Sequence, residues 1–350
     1  VLNSDKYDQW KKVRYWRKNK IDAVRGKIFD RNGIMLAQDV VKYKIMVEPH
    51  KIKNKKRVWN YLHKNFPGKI SDSTALYKKN RVIYVSKNAQ EEDAVKLKAF
   101  RKKHREWFIY ARPFYKRVYP YEEYAGQILG FVNGENSGVS GIELKANDFL
   151  KGKSGEEYTI ITPKGAVWEN VDMPAKDPIP GANVYLTIDL DLQAIAEEEL
   201  HKAVQSYNAI GGMVVVMQPA TGEVLAISSA PRFDPNRPAK FDQYARKNRA
   251  ITDIFEPGST FKLVSAAALL ESGKVGKDSL VYCENGKYRL YKTTIHDHKK
   301  YGWLTFEKVI ANSSNIGIAK LSREHLSNKY LYQKICDFGF GQKTNIDLSG

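Results

Sequence analysis

Cysteine is nearly absent. The 350 residues hold 2, Cys283 and Cys336. Two thiols so far apart build neither a disulfide framework nor a Cys/His zinc pattern, so both are expected to be free and buried. Long hydrophobic runs are lacking too. Nothing approaches the roughly 18 consecutive apolar residues of a membrane span, and no stretch reads as a signal peptide. There is no internal repeat and no low-complexity tract. Negative charge is in deficit, with 58 Lys and Arg against 39 Asp and Glu, a net +19. The deficit is local: residues 1–105 carry 29 basic and 10 acidic residues, residues 106–350 carry 29 of each. The first third therefore offers either a solvated basic face or a surface for an anionic partner. No nucleic-acid motif accompanies the charge, which argues against nucleic acid.

What is present suffices for ordinary cores. The chain is 42% hydrophobic and 12% aromatic, which excludes compositional disorder, and its length implies two or more domains. Trp10, Val13 and Trp16 at helical spacing predict a helix near the start, placed over residues 1–24; its basic-aromatic character suits a segment just outside a membrane. In "RGKIFDRNGIML", Ile28 and Phe29 lead into an Arg31-Asn32-Gly33 turn, which predicts a hairpin. Residues 81–86 read as a strand. Residues 91–104 read as a helix with acid at its start and base at its end, as the macrodipole favours. Three prolines and a glycine in "DMPAKDPIPGANV", residues 172–184, mark the best boundary. Beyond it, Asp189 or Asp191 is placed to cap a helix. Met213–Met217 and Val224–Ile227 form the arms of a second hairpin. The unbroken apolar arm "MVVVM" predicts a strand covered on both faces, with the helix after Lys262 as its cover.

That helix poses a chemical question. In "FEPGSTFKLVSAAALLESGK", Ser259 and Lys262 stand in the first turn of an apolar helix. Residues three apart on a helix share a face. A desolvated lysine has a lowered pKa, and its neutral amine can accept a serine proton. Pro257-Gly258 would turn the chain sharply and present the Ser259 hydroxyl. The bland alternative stays open: S-x-x-K arises by chance about once or twice in such a chain, Ser259 can serve as a cap, and Lys262 can snorkel. A second polar island, Asn312-Ser313-Ser314-Asn315, interrupts two apolar runs. Such clusters are usually loops or caps. Facing the first pair, Ser313 would relay a proton and Asn315 would hold Lys262 or a substrate amide.

S-x-x-K followed by S-x-N is the opening of the motif set of penicillin-binding proteins. The match extends further. Asn248-Arg249-Ala250 with Glu256-Pro257-Gly258-Ser259-Thr260-Phe261-Lys262 resembles the nucleophile segment of the class B penicillin-binding proteins. "SSN" at 313–315 resembles their second motif. "RGKIFDRNG" (25–33), "RVYPYEEYAGQILGF" and "GIE" (141–143) resemble their N-terminal domain. "LTIDLDLQ" and "ATGEVLA" resemble the entrance to the catalytic domain. The resemblance covers residues 25–350. "FEPGSTFK" and "SSNIGIAKL" look more like the division-type or spore-type enzymes than the elongation-type.

The resemblance implies an α+β fold: a transpeptidase-like sheet covered by helices (179–350), preceded by an elongated, mainly β pedestal domain (25–178). It implies a membrane-anchored DD-transpeptidase, its catalytic part outside the cytoplasm, cross-linking peptidoglycan stem peptides in septal or spore wall synthesis. Ser259 would be the nucleophile, Lys262 the base, Ser313 the proton shuttle and Asn315 the donor-peptide ligand, with no metal or organic cofactor. β-Lactams would acylate Ser259. A polytopic glycan polymerase and divisome proteins would be partners. A β-lactamase or β-lactam sensor on the same fold, or a non-catalytic divisome scaffold, are the alternatives. The family's third motif, K-[ST]-G on a strand, is not found: "QKTN" at 342–345 has Asn345 where glycine is needed. The chain is therefore expected to stop inside the transpeptidase domain, short of that strand and without the family's anchor, and the fragment to be inactive. Loss of one oxyanion donor costs about 10²–10³ in rate.

Overall fold

The computed structural model describes residues 16–67, 73–77, 82–161, 167–169 and 175–348. The chain divides into two compact units, Val1–Thr252 with Asp347–Gly350, and Asp253–Ile346.

In the first unit, β1 (Trp16–Ile21) is followed by a short β2 (Ile28–Phe29) and a long β3 (Met35–Val47). Then come helix α1 (Lys55–Asn65), β4 (Ile83–Ala89), helix α2 (Glu91–His104) and β5 (Ile109–Val118). Strands β6 (Gly155–Ile161), β7 (Val167–Glu169) and β8 (Val184–Tyr185) precede helix α3 (Leu190–Ser206). The hairpin β9 (Gly212–Met217) and β10 (Val224–Ala230) follows.

The hairpin expected at 28–36 forms as β2 and β3, antiparallel with Ile28 opposite Ala37. Its turn is an Asx device. Asp30 Oδ1 accepts the backbone N–H groups of Asn32 (2.9 Å) and Ile34 (2.7 Å), and Gly33 takes the left-handed φ of +84° that glycine tolerates. The helix over 91–104 forms with the expected bounds, and Asp189 is the cap of α3, accepting from Asp191 and Leu192 N–H at 3.2 Å. Residues 16–21 depart from the expected helix. They are a strand, antiparallel to β6, with Lys18 bonded to Glu156 across the ladder at 2.7 Å. Partners more than a hundred positions apart leave no trace in local periodicity. Residues 1–15 of that expected helix lie outside the described residues.

Helices α1 and α2 pack on β3, β4 and β5 around Ile45, Val47, Val58, Leu62, Leu97 and Ile109. A second core joins Ile28, Leu36, Leu129 and Leu150 to Ile188, Leu190 and Ile227. Because β8 pairs in parallel with β2 and Ile188 and Leu190 are buried beside them, residues past the proline-rich stretch pack with what precedes it. The compact unit extends to Thr252. Within this unit, helix α3 covers the β9–β10 hairpin. Its Gln193 side chain bonds both ways to the Ile227 backbone, at 2.9 and 2.8 Å. Strand β10 is buried from Ala226 to Ala230. Strand β9, expected to be covered on both faces, leaves Val215 51% and Met217 54% exposed.

The "RGK" and "GIE" segments meet in a buried charge cluster. Arg25 Nε donates to Glu143 Oε2 at 2.6 Å, and Arg117 Nε donates to Glu143 Oε1 at 2.6 Å. Asp39 accepts from the Arg25 backbone N–H at 3.0 Å and from Arg117 at 3.4 Å. Two cations and two anions cancel, as burial of charge requires.

The second unit holds helix α4 (Lys262–Glu271), strands β11 (Leu280–Tyr282), β12 (Lys287–Leu290), β13 (Thr293–His296) and β14 (Trp303–Thr305), and helices α5 (Phe306–Ala311), α6 (Asn315–His325) and α7 (Asn328–Asp337). Leu269 of α4, Cys283, Phe306, Val309 of α5, and Ile316 and Leu321 of α6 share one core. Both thiols are free; Cys283 is buried, while Cys336 is half-buried rather than buried. Residues 343–346 belong to no strand.

Candidate active site

Gly258 has a φ of +58°, so the chain turns there as the Pro-Gly pair predicts. A single 3₁₀ turn, Gly258–Phe261, then runs into α4. Ser259 is exposed in that turn. Thr260 Oγ1 donates to the Pro257 carbonyl at 2.6 Å and fixes the turn. Lys262 opens α4, its backbone N–H directed to the Ser259 and Thr260 carbonyls. Behind it α4 buries Val264, Ala266, Ala268 and Leu269, while Leu263 and Leu270 reach solvent.

The "NSSN" island is where two helices join. Thr305 caps the start of α5 by accepting from Lys308 N–H. At the far end of α5, Ser313 N–H bonds to the Ile310 carbonyl (3.0 Å) and Ser314 N–H to the Val309 carbonyl (2.9 Å). These two bonds are the Schellman pattern, whose C′ position takes the left-handed conformation and is usually glycine. Here it is Ser313, with φ of +52°. Ser314 then caps α6, its hydroxyl accepting from Gly317 N–H at 2.9 Å. One residue thus ends a helix and the next begins another, which leaves the Ser313 side chain and carbonyl turned out of both.

Lys262 Nζ meets that corner. It donates to the Ser313 carbonyl at 2.6 Å and to Ser313 Oγ at 2.9 Å. Burial lowers the Lys262 pKa below the ordinary lysine value, and the nearby Asp297 carboxylate opposes part of the shift. Both direct partners are neutral oxygens, so the amine can lose its proton without breaking an ion pair.

The four residues singled out in the sequence do not all touch. Lys262 and Ser313 are bonded. Among the described residues the Ser259 hydroxyl makes no hydrogen bond, although it stands one turn before Lys262. Asn315 Nδ2 donates to the His296 carbonyl at 2.8 Å rather than holding Lys262.

Asp297 and Ser314 complete the site and were not anticipated. Ser314 Oγ donates to Asp297 Oδ2 at 2.7 Å, and Ile316 N–H donates to Asp297 Oδ1 at 3.0 Å. One carboxylate at the end of β13 therefore pins the first turn of α6 from the side. The N-cap rule applied to "SSNIG" would have marked Ser314. Nothing local marks Asp297, which acts across 17 positions.

A helix-start serine followed one turn later by a lysine bonded to a serine corner is the constellation of the serine acyl-transfer penicillin-binding fold. Comparison with known proteins agrees. Residues 212–350 match the Penicillin binding protein transpeptidase domain, and residues 20–186 match the Penicillin-binding Protein dimerisation domain. The Probable peptidoglycan D,D-transpeptidase PbpC of Pseudomonas aeruginosa is 33% identical over 334 residues, 94% of this chain and 58% of that protein. Stage V sporulation protein D of Bacillus subtilis is 31% identical over 343 residues, 96% of this chain and 52% of that one. The solved complex between Penicillin-Binding Protein (PBP2) and MreC from Helicobacter pylori has the same fold, with a TM-score of 0.72, 23% identity, and coverage of 96% of this chain and 67% of that one. The chain belongs to the class B penicillin-binding proteins. It spans between half and three-fifths of the length of these two curated relatives.

Proposed function

We infer that the protein of this chain is a serine D,D-transpeptidase that cross-links peptidoglycan stem peptides, acting in septal or spore wall synthesis. The observation that carries the reading is the half-buried Lys262 amine, bonded to Ser313 and one turn from Ser259. Ser259 Oγ attacks the D-Ala–D-Ala carbonyl as its proton passes to Lys262. The hydroxyl of Ser313, 2.9 Å from Nζ, carries a proton from Lys262 to the departing D-Ala amine. The amine of a neighbouring stem then attacks the acyl-enzyme, loses its proton back through Lys262, and frees Ser259. Asn315, exposed two positions after Ser313, binds the donor peptide backbone. The likeness to Stage V sporulation protein D supports the septal or spore assignment. The basic first third and the family relationship support a membrane-anchored protein working outside the cytoplasm beside a glycan polymerase and divisome proteins. The match of residues 20–186 to a dimerisation domain favours this over a stand-alone β-lactamase, which needs no such domain.

The test is covalent labelling of the intact protein by a fluorescent penicillin. The adduct is expected on Ser259 and is lost in Ser259→Ala. Undiminished labelling of that variant contradicts the reading, and rapid hydrolysis of the adduct would point to a β-lactamase.

A further inference from the structure

The lobe built from α1, α2, β4 and β5 concentrates the chain's charge: residues 42–118 contain 22 Lys and Arg against 6 Asp and Glu. Helix stability explains only part of this arrangement. Helix α1 opens with Lys55-Lys56-Arg57 and has no acid in its first turn, although the macrodipole disfavours cations there. Helix α2 is polarised, with Glu91, Glu92 and Asp93 at one end and Arg101, Lys102, Lys103 and His104 at the other, about 15 Å apart at 1.5 Å per residue.

The basic ends of the two helices are tied together. The buried Glu106 carboxylate accepts the backbone N–H of Asn54 at 3.1 Å and that of Lys53 at 3.4 Å. This carboxylate, which joins the two basic ends, is thus used up on backbone groups. Lys53, Lys56, Arg57, Lys102, Lys103 and Arg105 are all exposed, and among the described residues none of them makes an ion pair. Aromatic rings lie among them. Tyr77 is 61% exposed, with Lys55 Nζ 4.6 Å above its ring, and Trp107 is 54% exposed under the Arg101 guanidinium. Between the start of α1 and Tyr77 lies a recess of about 280 Å³ lined by Lys55, Lys56, Trp59, Asn60 and Tyr77.

We propose that this basic-aromatic face, formed where Glu106 joins the start of α1 to the end of α2, docks on the anionic phospholipid headgroups of a bilayer. Unpaired cations contribute attraction to an anionic leaflet, and Trp and Tyr side chains settle at the headgroup level. The recess seats one phosphodiester headgroup between the two lysine ammoniums and the two rings. The proposal does not rest on the acyl-transfer reading, and its failure leaves the Ser259 chemistry untouched.

The test compares the whole 350-residue chain on vesicles of phosphatidylcholine alone and of equimolar phosphatidylcholine and phosphatidylglycerol. The chain is expected to float with the anionic vesicles only, and less so as salt is raised. Replacing Lys53, Lys56, Lys102 and Lys103 by Gln lowers partitioning at least tenfold. Replacing Lys151, Lys277, Lys292 and Lys329 by Gln, an equal change in charge elsewhere, leaves it nearly intact. Thermal melting checks that both variants fold. Hydrogen exchange of the unsubstituted chain gives a second readout, with protection of 53–60 and 101–107 appearing only on anionic vesicles. Equal losses in the two variants, protection elsewhere, or binding to soluble polyphosphate without binding to vesicles would overturn the proposal.

Discussion

Arg25 and Lys262 are both cations drawn out of bulk water, and the chain treats them in opposite ways. Arg25 is fully buried and meets Glu143 at 2.6 Å, inside a cluster where Arg117 and Asp39 complete a neutral set. Lys262 is half-buried and meets only the carbonyl and hydroxyl of Ser313. The first arrangement locks a permanent charge in place and ties residue 25 to residue 143. The second holds a titratable amine by groups that do not insist on its charge. A cation matched by carboxylates is a structural fixture; a cation matched by neutral oxygens is free to act as a base.

Several changes sharpen that contrast. The largest effect is expected for Lys262→Gln, which removes the proposed base and should slow penicillin acylation of Ser259 by about 10²–10⁴-fold while leaving the melting temperature nearly unchanged. Stopped-flow labelling beside a thermal melt reads both. Glu143→Ala should do the reverse. It removes the carboxylate that two buried guanidiniums share, leaving Asp39 alone to face Arg117, and costs about 3–5 kcal/mol in denaturant unfolding, with the acylation rate per folded molecule kept. A fall in that rate would mean the cluster does more than hold the fold.

Asp297→Asn probes the site's electrostatics. The carboxylate raises the Lys262 pKa against the lowering by burial, so its removal lowers the pKa further. In the proposed mechanism acylation needs the neutral amine, so the rate is expected to climb with pH through that pKa. The acid limb of the pH–rate profile therefore moves to lower pH, while the plateau falls because Ser314 and Ile316 lose an acceptor. An unmoved limb would separate Asp297 from Lys262. The smallest effect is on stability in Ser313→Gly. Relief of the left-handed serine, offset by glycine's greater chain freedom, should add up to about 1 kcal/mol, yet activity is lost with the hydroxyl. Activity that survives this change would take Ser313 out of the proton path.

The elements visible in the sequence are those whose cause is local. The helix over 91–104 carries its charges in dipole order, the 30–34 turn has its Asp and Gly, and α3 has its Asp189 cap. The SxxK and SSN segments are visible as motifs, and the bend at Gly258 follows from Pro-Gly. What escapes is set by distant partners. Trp16–Ile21 becomes a strand because β6 lies beside it, and α3 is tied to the β9–β10 hairpin by Gln193, which reaches the Ile227 backbone. Asn315 turns to the His296 carbonyl, and Asp297 joins the site from the end of β13. No periodicity in the chain encodes these contacts.

The ionisation of the Lys262 side chain tests the account most directly. Lysine-selective NMR of the folded protein, with Lys262→Arg used to assign the resonance, should show an amine that titrates below ordinary lysines. A Lys262 that keeps its proton as tightly as an exposed lysine would contradict its role as the base.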